Sequence, residues 1–74
     1  MNDLALSIYF QSRPGVWTWL NPAGTTLENP YVYDSVARDI RELADRGLVR
    51  IEAEEESEAS DESLISRLAF TRLR

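Results

Sequence analysis

Carboxylates are the most concentrated chemical groups in this chain, and their spacing is the first feature that could indicate a reaction. Residues 52–62 hold seven acids and no base. Paired carboxylates can hydrolyse glycosides or bind calcium. However, no glycine lies where an EF-hand loop needs its turn, and a chain of 74 residues offers no cleft for a sugar. The acids, which predict an electrostatic role, are Glu52, Glu54, Glu55, Glu56, Glu58, Asp61 and Glu62.

The residue types that most often perform catalysis or hold a metal are absent from the composition. The chain has no cysteine and no histidine. This removes thiolate and imidazole ligands, as well as the commonest acid–base group near neutral pH. No glycine-rich phosphate loop and no nucleophile beside a base occurs. We therefore expect a protein that is not an enzyme, with no metal, no cofactor and no small-molecule substrate.

The net charge of −5 is unevenly distributed. Removing the seven acids of the run from the total of thirteen leaves six against eight arginines, or +2 for the remainder. Such a run is either a solvated loop or a means of steering the protein toward a basic surface. A third possibility is imitation of a nucleic-acid backbone. Glu54, Glu55 and Glu56 are the candidate contacts to a basic partner.

Two tryptophans form the second candidate site. Residues 16–20 predict a short strand in which Trp17 and Trp19 point to one face, while Val16 and Leu20 point to the other. A sheet covered by helices on one side leaves one of these rows open. Either the loop 21–31 folds over that row with Leu27 and Tyr31, or the row binds a protein, since exposed tryptophan is typical of interface anchors.

A long amphipathic helix should position the third group of candidates. Its apolar residues recur at three- and four-residue steps and it ends before Gly47, where a left-handed turn leads into a strand. Asn29 with Pro30 could start it, or it could begin at Asp34. On its solvent side, Ser35, Arg38 and Arg41 could contact DNA bases or phosphates. The same side offers Asp34–Arg38 and Glu42–Arg46 as stabilising ion pairs.

The remaining elements are predicted from shorter patterns. Residues 4–12 fit a helix capped by Asn2 or Asp3, although their apolar residues also alternate as in a strand. Thr25 and Glu28 have the spacing of a capped turn. A strand from Leu48 to about Glu54 leads into an acidic hairpin tip at 53–62. The partner strand then runs from Leu64 to Leu73. The residues expected on the inner face of this hairpin are Val49, Ile51, Leu68 and Phe70.

The C-terminal arginines suggest one further surface. Arg67, Arg72 and Arg74, with Arg50 on the neighbouring strand, could form a basic strip on the sheet. Glu52 and Glu54 are expected on the same side as Arg50 and would offset its charge. We therefore interpret the strip as structural pairing.

This order of elements resembles a winged helix-turn-helix domain. The segment VARDIRELADRGLVRIE looks like that family's third helix running into its wing, and SRPGVWTWL is similar to its turn from helix one into the first strand. The resemblance implies a single α+β domain over 1–74, with two helices, a three-stranded antiparallel sheet and an acidic wing hairpin. The chain departs from the family in two ways: NPAGTTLENP leaves little room for the second helix, and the wing is acidic where a DNA-binding wing is commonly basic.

The functional expectations follow from the resemblance and the charge together. The family commonly binds DNA to control transcription, and many members bind only proteins. We expect a small regulatory adaptor or inhibitor that binds a protein of the transcription or nucleic-acid machinery. The alternatives are a dimeric DNA-binding regulator that uses the helix 33–46, and a structural subunit of a larger complex. In size and charge the chain also resembles small acidic proteins of phages and mobile elements.

Location is predicted from the absence of a recognisable signal. The N-terminal segment begins with an acid, and its apolar run is broken by Ser7, which is atypical of a signal peptide. No stretch approaches the roughly 20 apolar residues of a membrane helix. We expect a cytoplasmic protein that is a monomer or homodimer.

Overall fold

The computed structural model describes residues 3–59 and 62–74, and in these ranges helices cover one face of a three-stranded antiparallel sheet. The strand order is β1-β3-β2. The predicted α+β class is confirmed, and the arrangement is compatible with a winged helix. The elements are α1 (Asp3–Gln11), β1 (Trp17–Trp19), a 3-10 helix (Thr26–Glu28), α2 (Pro30–Asp45), β2 (Val49–Ala59) and β3 (Glu62–Arg72).

The N-terminal segment is a helix, so the strand alternative was wrong. Ala5 and Tyr9 lie one helical turn apart and are both buried. Burial of this one face against the core favours the helix over the alternating pattern. Asp3 is the first residue of the helix, and the other predicted cap, Asn2, lies outside the described residues.

The predicted start and end of α2 are confirmed. The Asn29 side chain accepts hydrogen bonds from the backbone N–H groups of Tyr31 and Val32, with Pro30 at the first helical position. The alternative start at Asp34 was therefore wrong, because this cap satisfies the N–H groups of the earlier turn. At the other end Gly47 has a φ of +76°. Its N–H bonds to the Ala44 carbonyl, and the next N–H, of Leu48, bonds to the Leu43 carbonyl, each at 3.0 Å.

The core lies between α2 and the inner face of the sheet. Val36, Ile40 and Leu43 of the helix are buried in one cluster with Leu68 and Phe70 of β3. Val49 belongs to the same cluster and Ile51 packs against it, as the hairpin pattern predicted. No helix within the described ranges has the length and apolar character needed to cross a membrane.

The β2–β3 hairpin is longer than the sequence predicted. The strand expected to stop near Glu54 continues to Ala59, and its partner begins at Glu62. Most of the predicted tip at 53–62 is therefore strand, while Ser60 and Asp61 lie outside the described residues. The acids remain in a strand because β3 supplies an apolar partner strand, with Leu64, Ile65 and Leu68 buried.

Two irregularities in this hairpin change which side chains face the helix. One extra residue, Glu52, separates the pairs Ile51↔Phe70 and Ala53↔Ala69, as in a β-bulge. A second shift follows Glu55 and leaves Ser66 as the extra residue of β3. The first bulge places Glu54 opposite the core residue Leu68, on the helix side of the sheet. The prediction that Glu54 shares a face with Arg50 was wrong, because strict alternation does not survive a bulge.

The loop before α2 contains one 3-10 turn where a winged helix has its second helix. The Thr25 hydroxyl accepts a hydrogen bond from the Leu27 N–H at 3.1 Å, as the capped-turn spacing predicted. Glu28 closes the turn by accepting from the Gly24 N–H. Leu27 is buried in the core, and Tyr31 is exposed. The loop thus covers the inner side of the domain with a single apolar side chain.

Candidate functional site

The outer face of the sheet carries two exposed tryptophans. Trp17 lies opposite Thr71 and Trp19 opposite Ala69, on the side of the sheet away from the core residue Phe70. Strand alternation puts the residue two positions after Thr71, Leu73, on the same side. We call this surface the tryptophan face; its residues are Trp17, Trp19, Ala69, Thr71 and Leu73.

The exposed fractions of these residues show how accessible the tryptophan row is. Trp17 is 55% exposed, Trp19 42% and Leu73 48%, whereas Ala69 and Thr71 are buried although neither belongs to the core cluster. The central strand is therefore covered by its neighbours on both edges. In the other row Leu20 is almost inaccessible, whereas Val16 is 49% exposed. Both residues of the tryptophan row are exposed.

Arg67 connects the tryptophan face to the acidic strand. Its guanidinium lies 5.7 Å from the centroid of the Trp19 ring, within the range of a cation–π interaction. In the register of the hairpin, Arg67 lies opposite Glu55. An aromatic, a cation and an anion therefore lie in a row across one face of the sheet.

The acids predicted to contact a partner divide between the two faces. Glu55 shares the face of Arg67 and the tryptophans. Glu54 and Glu56 lie opposite Leu68 and Ile65, and so point to the helix side. There the Oε1 atom of Glu54 lies 3.3 Å from Nε of Arg41. The structure thus does not bring Glu54, Glu55 and Glu56 together as one patch.

The residues proposed to contact DNA lie on the exposed side of α2, but the arginines are paired with acids. Arg38 lies 3.0 Å from Asp34, in the first of the two predicted ion pairs. Arg41 binds Glu54, as described above. Ser35 is exposed, one helical turn before Arg38. The second predicted pair also forms, with 3.2 Å between Arg46 and Glu42.

Asp34 has a second role that its predicted place on the solvent side of α2 does not suggest. Its Oδ1 atom accepts a hydrogen bond from the backbone N–H of Ile65 at 2.8 Å, which connects α2 to β3. Partial burial acts to raise the pKa of the Asp34 carboxyl. The hydrogen bonds from Ile65 and Arg38 outweigh it, so the pKa lies below its usual value.

Arg50 and Arg72, two arginines of the predicted basic strip, make separate contacts within the protein. Arg72 lies with its guanidinium 4.5 Å from the Tyr9 ring centroid and donates to the carbonyl of Ser12 at 2.9 Å. It therefore caps the C-terminal end of α1, where a cation is favoured. Arg50 pairs with Glu52 at 2.6 Å, and this hydrogen bond, together with that from Thr71, lowers the pKa of the Glu52 carboxyl.

The Tyr33 side chain of α2 connects the end of β1 to β3 on the helix side of the sheet. Its hydroxyl donates to the Leu20 carbonyl at 2.6 Å and accepts from the Leu68 N–H at 3.0 Å. The phenol bridges the strands at the residue where β1 has just ended. Burial raises the pKa of the Tyr33 hydroxyl, and the hydrogen bonds with the Leu68 backbone and the Trp19 side chain, together with the charge of Arg67, offset part of this rise. The bridge fixes the position of Trp19, which directly precedes Leu20.

The sequence interpretation missed two members of this site. Leu73 was predicted only as the end of a strand, although its spacing from Ala69 and Thr71 already places it on the tryptophan face. Tyr33 was interpreted only as an apolar residue of the helix, because nothing local indicates which backbone groups its hydroxyl reaches.

Comparisons with known proteins do not add a relative to this description. No family model, no curated protein and no solved structure matches the chain. Across residues 3–59 and 62–74, no group of three or more His, Cys, Asp or Glu side chains is arranged to hold a metal ion.

Proposed function

We propose that this protein is a small non-catalytic module that binds a protein partner with a basic surface, using the tryptophan face as its anchor. The observation that carries the proposal is the exposure of both Trp17 and Trp19, which lie opposite Thr71 and Ala69 of β3. A regulatory adaptor or inhibitor of the transcription or nucleic-acid machinery is the role that the winged-helix resemblance implies for such a module.

The physical case for an anchor rests on the chemistry of the exposed groups. Tryptophan offers a large apolar area and one N–H donor, and it dominates the binding energy of many interfaces. Leu73 extends the apolar area beside Trp17. Arg67 restricts the Trp19 ring before any partner arrives, which reduces the entropy lost on binding.

The charge of the chain favours a basic partner. The formal net charge is −5. Glu55 lies on the same side of the sheet as the tryptophan face, while Glu54 and Glu56 line the helix side of the same edge strand. An acidic edge beside an aromatic anchor accelerates the encounter with a basic surface, and the acceleration weakens as salt is added.

The ion pairs of α2 support a protein partner over duplex DNA. Binding to a duplex requires cations that can neutralise phosphates and release counterions. Arg38 and Arg41 already face carboxylates, and Glu56 lies near Arg38 on the same side. To contact these arginines, a phosphate group would have to replace the carboxylates of Asp34 and Glu54. It would also be repelled by the negative charge of these acids and of Glu56.

The experiment begins with capture of proteins from a lysate of the source cells on the immobilised protein. The captured protein is then purified, and its affinity is measured by calorimetry. We expect replacement of both tryptophans, Trp17→Ser with Trp19→Ser, to weaken binding by at least about tenfold. Tyr31→Ser is the matched control, because it removes an exposed aromatic outside the face.

Two results would overturn the proposal. One is an unchanged affinity of the folded double tryptophan variant. The other is tight binding of a random-sequence duplex at low salt that is lost on Arg38→Ala and Arg41→Ala. The second result would assign the function to α2.

A further inference from the structure

The two edges of the sheet differ in how they are protected against another strand. In the described chain, β1 and β2 each pair only with β3, so each has one free edge. The β2 edge carries the Glu52 bulge and the glutamates 54–56, and charges and bulges of this kind prevent pairing between sheets. The three residues of β1 carry neither a charge nor a bulge.

The backbone of β1 points its free hydrogen-bonding groups away from the sheet at the tryptophans. Thr18 lies opposite Phe70, and the Leu20 N–H donates to the Leu68 carbonyl at 2.9 Å. Because alternate residues of an antiparallel strand bond to alternate sides, Trp17 and Trp19 direct their N–H and C=O groups to the free edge. That edge therefore presents a strand-pairing template.

We propose that two copies of this chain associate through the free edges of β1, antiparallel about Thr18, to form one continuous sheet. The sequence Trp17–Thr18–Trp19 reads the same in both directions. Antiparallel pairing about its centre therefore sets Trp17 of each copy opposite Trp19 of the other. Each such pair exchanges both backbone hydrogen bonds, and directly opposed aromatic residues stabilise a sheet.

The distribution of charge favours β1 over β2 as the edge at which two copies would join. With the strand order β1-β3-β2, joining the β1 edges places the two acidic β2 strands at opposite ends of the sheet. They are then five strand spacings apart, or about 24 Å. This exceeds the screening length of about 8 Å at physiological salt. Pairing through β2 would instead bring the two rows of glutamates into contact.

The proposed association goes beyond the function proposed above and does not depend on it. Pairing uses the backbone edge, so the indole rings stay on the outer face of the joined sheet. The tryptophans of both copies would then form one platform for a partner. Because the association is measured on the protein alone, its failure leaves the partner proposal unaffected.

The first test is a single cysteine at the two-fold axis, in a chain that has no other. In the proposed pairing, Thr18 faces Thr18 of the second copy with Cα atoms about 4.5 Å apart, which a disulfide can span. Under mild oxidation we expect Thr18→Cys to form a covalent dimer much faster than the exposed control Ser35→Cys. Equal rates, or faster crosslinking of the control, would overturn the pairing.

The second test uses charge at the same edge and measures the dimer by analytical ultracentrifugation. Trp17→Glu with Trp19→Glu sets like charges opposite each other and should weaken the dimer by roughly tenfold or more. Trp17→Lys with Trp19→Glu sets opposite charges together only in the antiparallel register and should retain it. Both variants lose the same two indoles, so equal weakening would contradict the register. A wild-type protein that stays monomeric at every concentration would overturn the proposal.

Discussion

The Nε atom of Arg41 lies 3.3 Å from the Oε1 atom of Glu54, so a cation proposed to read DNA and an acid proposed to steer a protein partner neutralise each other. The contact joins α2 to the edge strand β2. It exists because the bulge at Glu52 turns the following residue pair, and with it Glu54, toward the helix. The pair therefore reports both on the electrostatics of the site and on the local geometry of the strand.

The Arg41–Glu54 contact predicts a charge-reversal rescue. Glu54→Arg should lower the free energy of unfolding by up to about 1 kcal/mol, because it sets two cations together at a partly exposed site. Adding Arg41→Glu should restore most of this loss. Urea denaturation of the four proteins measures the coupling. Additive effects of the two changes would mean that Glu54 does not face the helix.

The hydroxyl bridge of Tyr33 predicts a larger loss of stability when this single oxygen atom is removed. Tyr33→Phe removes the bridge and leaves the Leu20 carbonyl and the Leu68 N–H without it, in a buried position. We expect a loss of about 1–3 kcal/mol in the free energy of unfolding. Tyr31→Phe is the matched control on the same helix, and its exposed hydroxyl should change stability by less than about 0.5 kcal/mol. If Tyr33→Phe and Tyr31→Phe lowered the free energy of unfolding by equally small amounts, the bridge would be contradicted.

Asp34 predicts a pH dependence with a definite sign. Its pKa is lowered in the folded protein, so the carboxylate favours folding above the unfolded pKa of about 3.9. That contribution is lost as the pH falls through the folded pKa. Asp34→Asn should therefore be less stable than the wild type near neutral pH, and the two should converge on acidification. Denaturation curves measured along the pH range test this, and a constant gap would contradict it.

Gly47 predicts a purely conformational cost. Its φ of +76° is unfavourable for other residues, yet a Cβ atom added there would meet nothing within 4 Å. Gly47→Ala should therefore cost about 1–2 kcal/mol through the backbone alone, and Gly47→Asn should cost less. Thermal denaturation of the two variants measures the difference. Equal losses would indicate a steric cause.

The parts of the fold that were predictable from the sequence are those with a local physical cause. Asn29, Pro30 and Gly47 specify the ends of α2 through the backbone groups of adjacent residues. The ion pairs Asp34–Arg38 and Glu42–Arg46 follow from helical spacing alone. These interactions require no knowledge of the rest of the molecule.

The parts that were wrong depend on residues distant in the sequence. Glu54, Glu55 and Glu56 were assigned to a loop because of their charge, but β3 supplies their apolar partners and keeps them in a strand. The bulge at Glu52 arises between two paired strands and has no signature in either one. The helix predicted at residues 4–12 is confirmed, and the burial of Ala5 and Tyr9 excludes the strand alternative there.

The candidate site divides in the same way. Trp17 and Trp19 were recognisable as one row of a strand, because alternation is local. The burial of Leu20 with Leu27 in the core, which leaves both tryptophans exposed, depends on contacts between residues distant in the sequence. The pairing of Arg41 with Glu54 required the three-dimensional structure, and it is this contact that changes the interpretation of α2.

The most direct test of the account uses the two tryptophans as reporters, since the chain contains no others. The protein labelled with 5-fluorotryptophan should give two ¹⁹F resonances, one each from Trp17 and Trp19. On titration with the purified captured partner, we predict that both resonances shift or broaden, and that random-sequence duplex DNA leaves both unchanged. Partner binding, confirmed by calorimetry, that leaves both resonances unmoved would contradict the tryptophan face as the anchor.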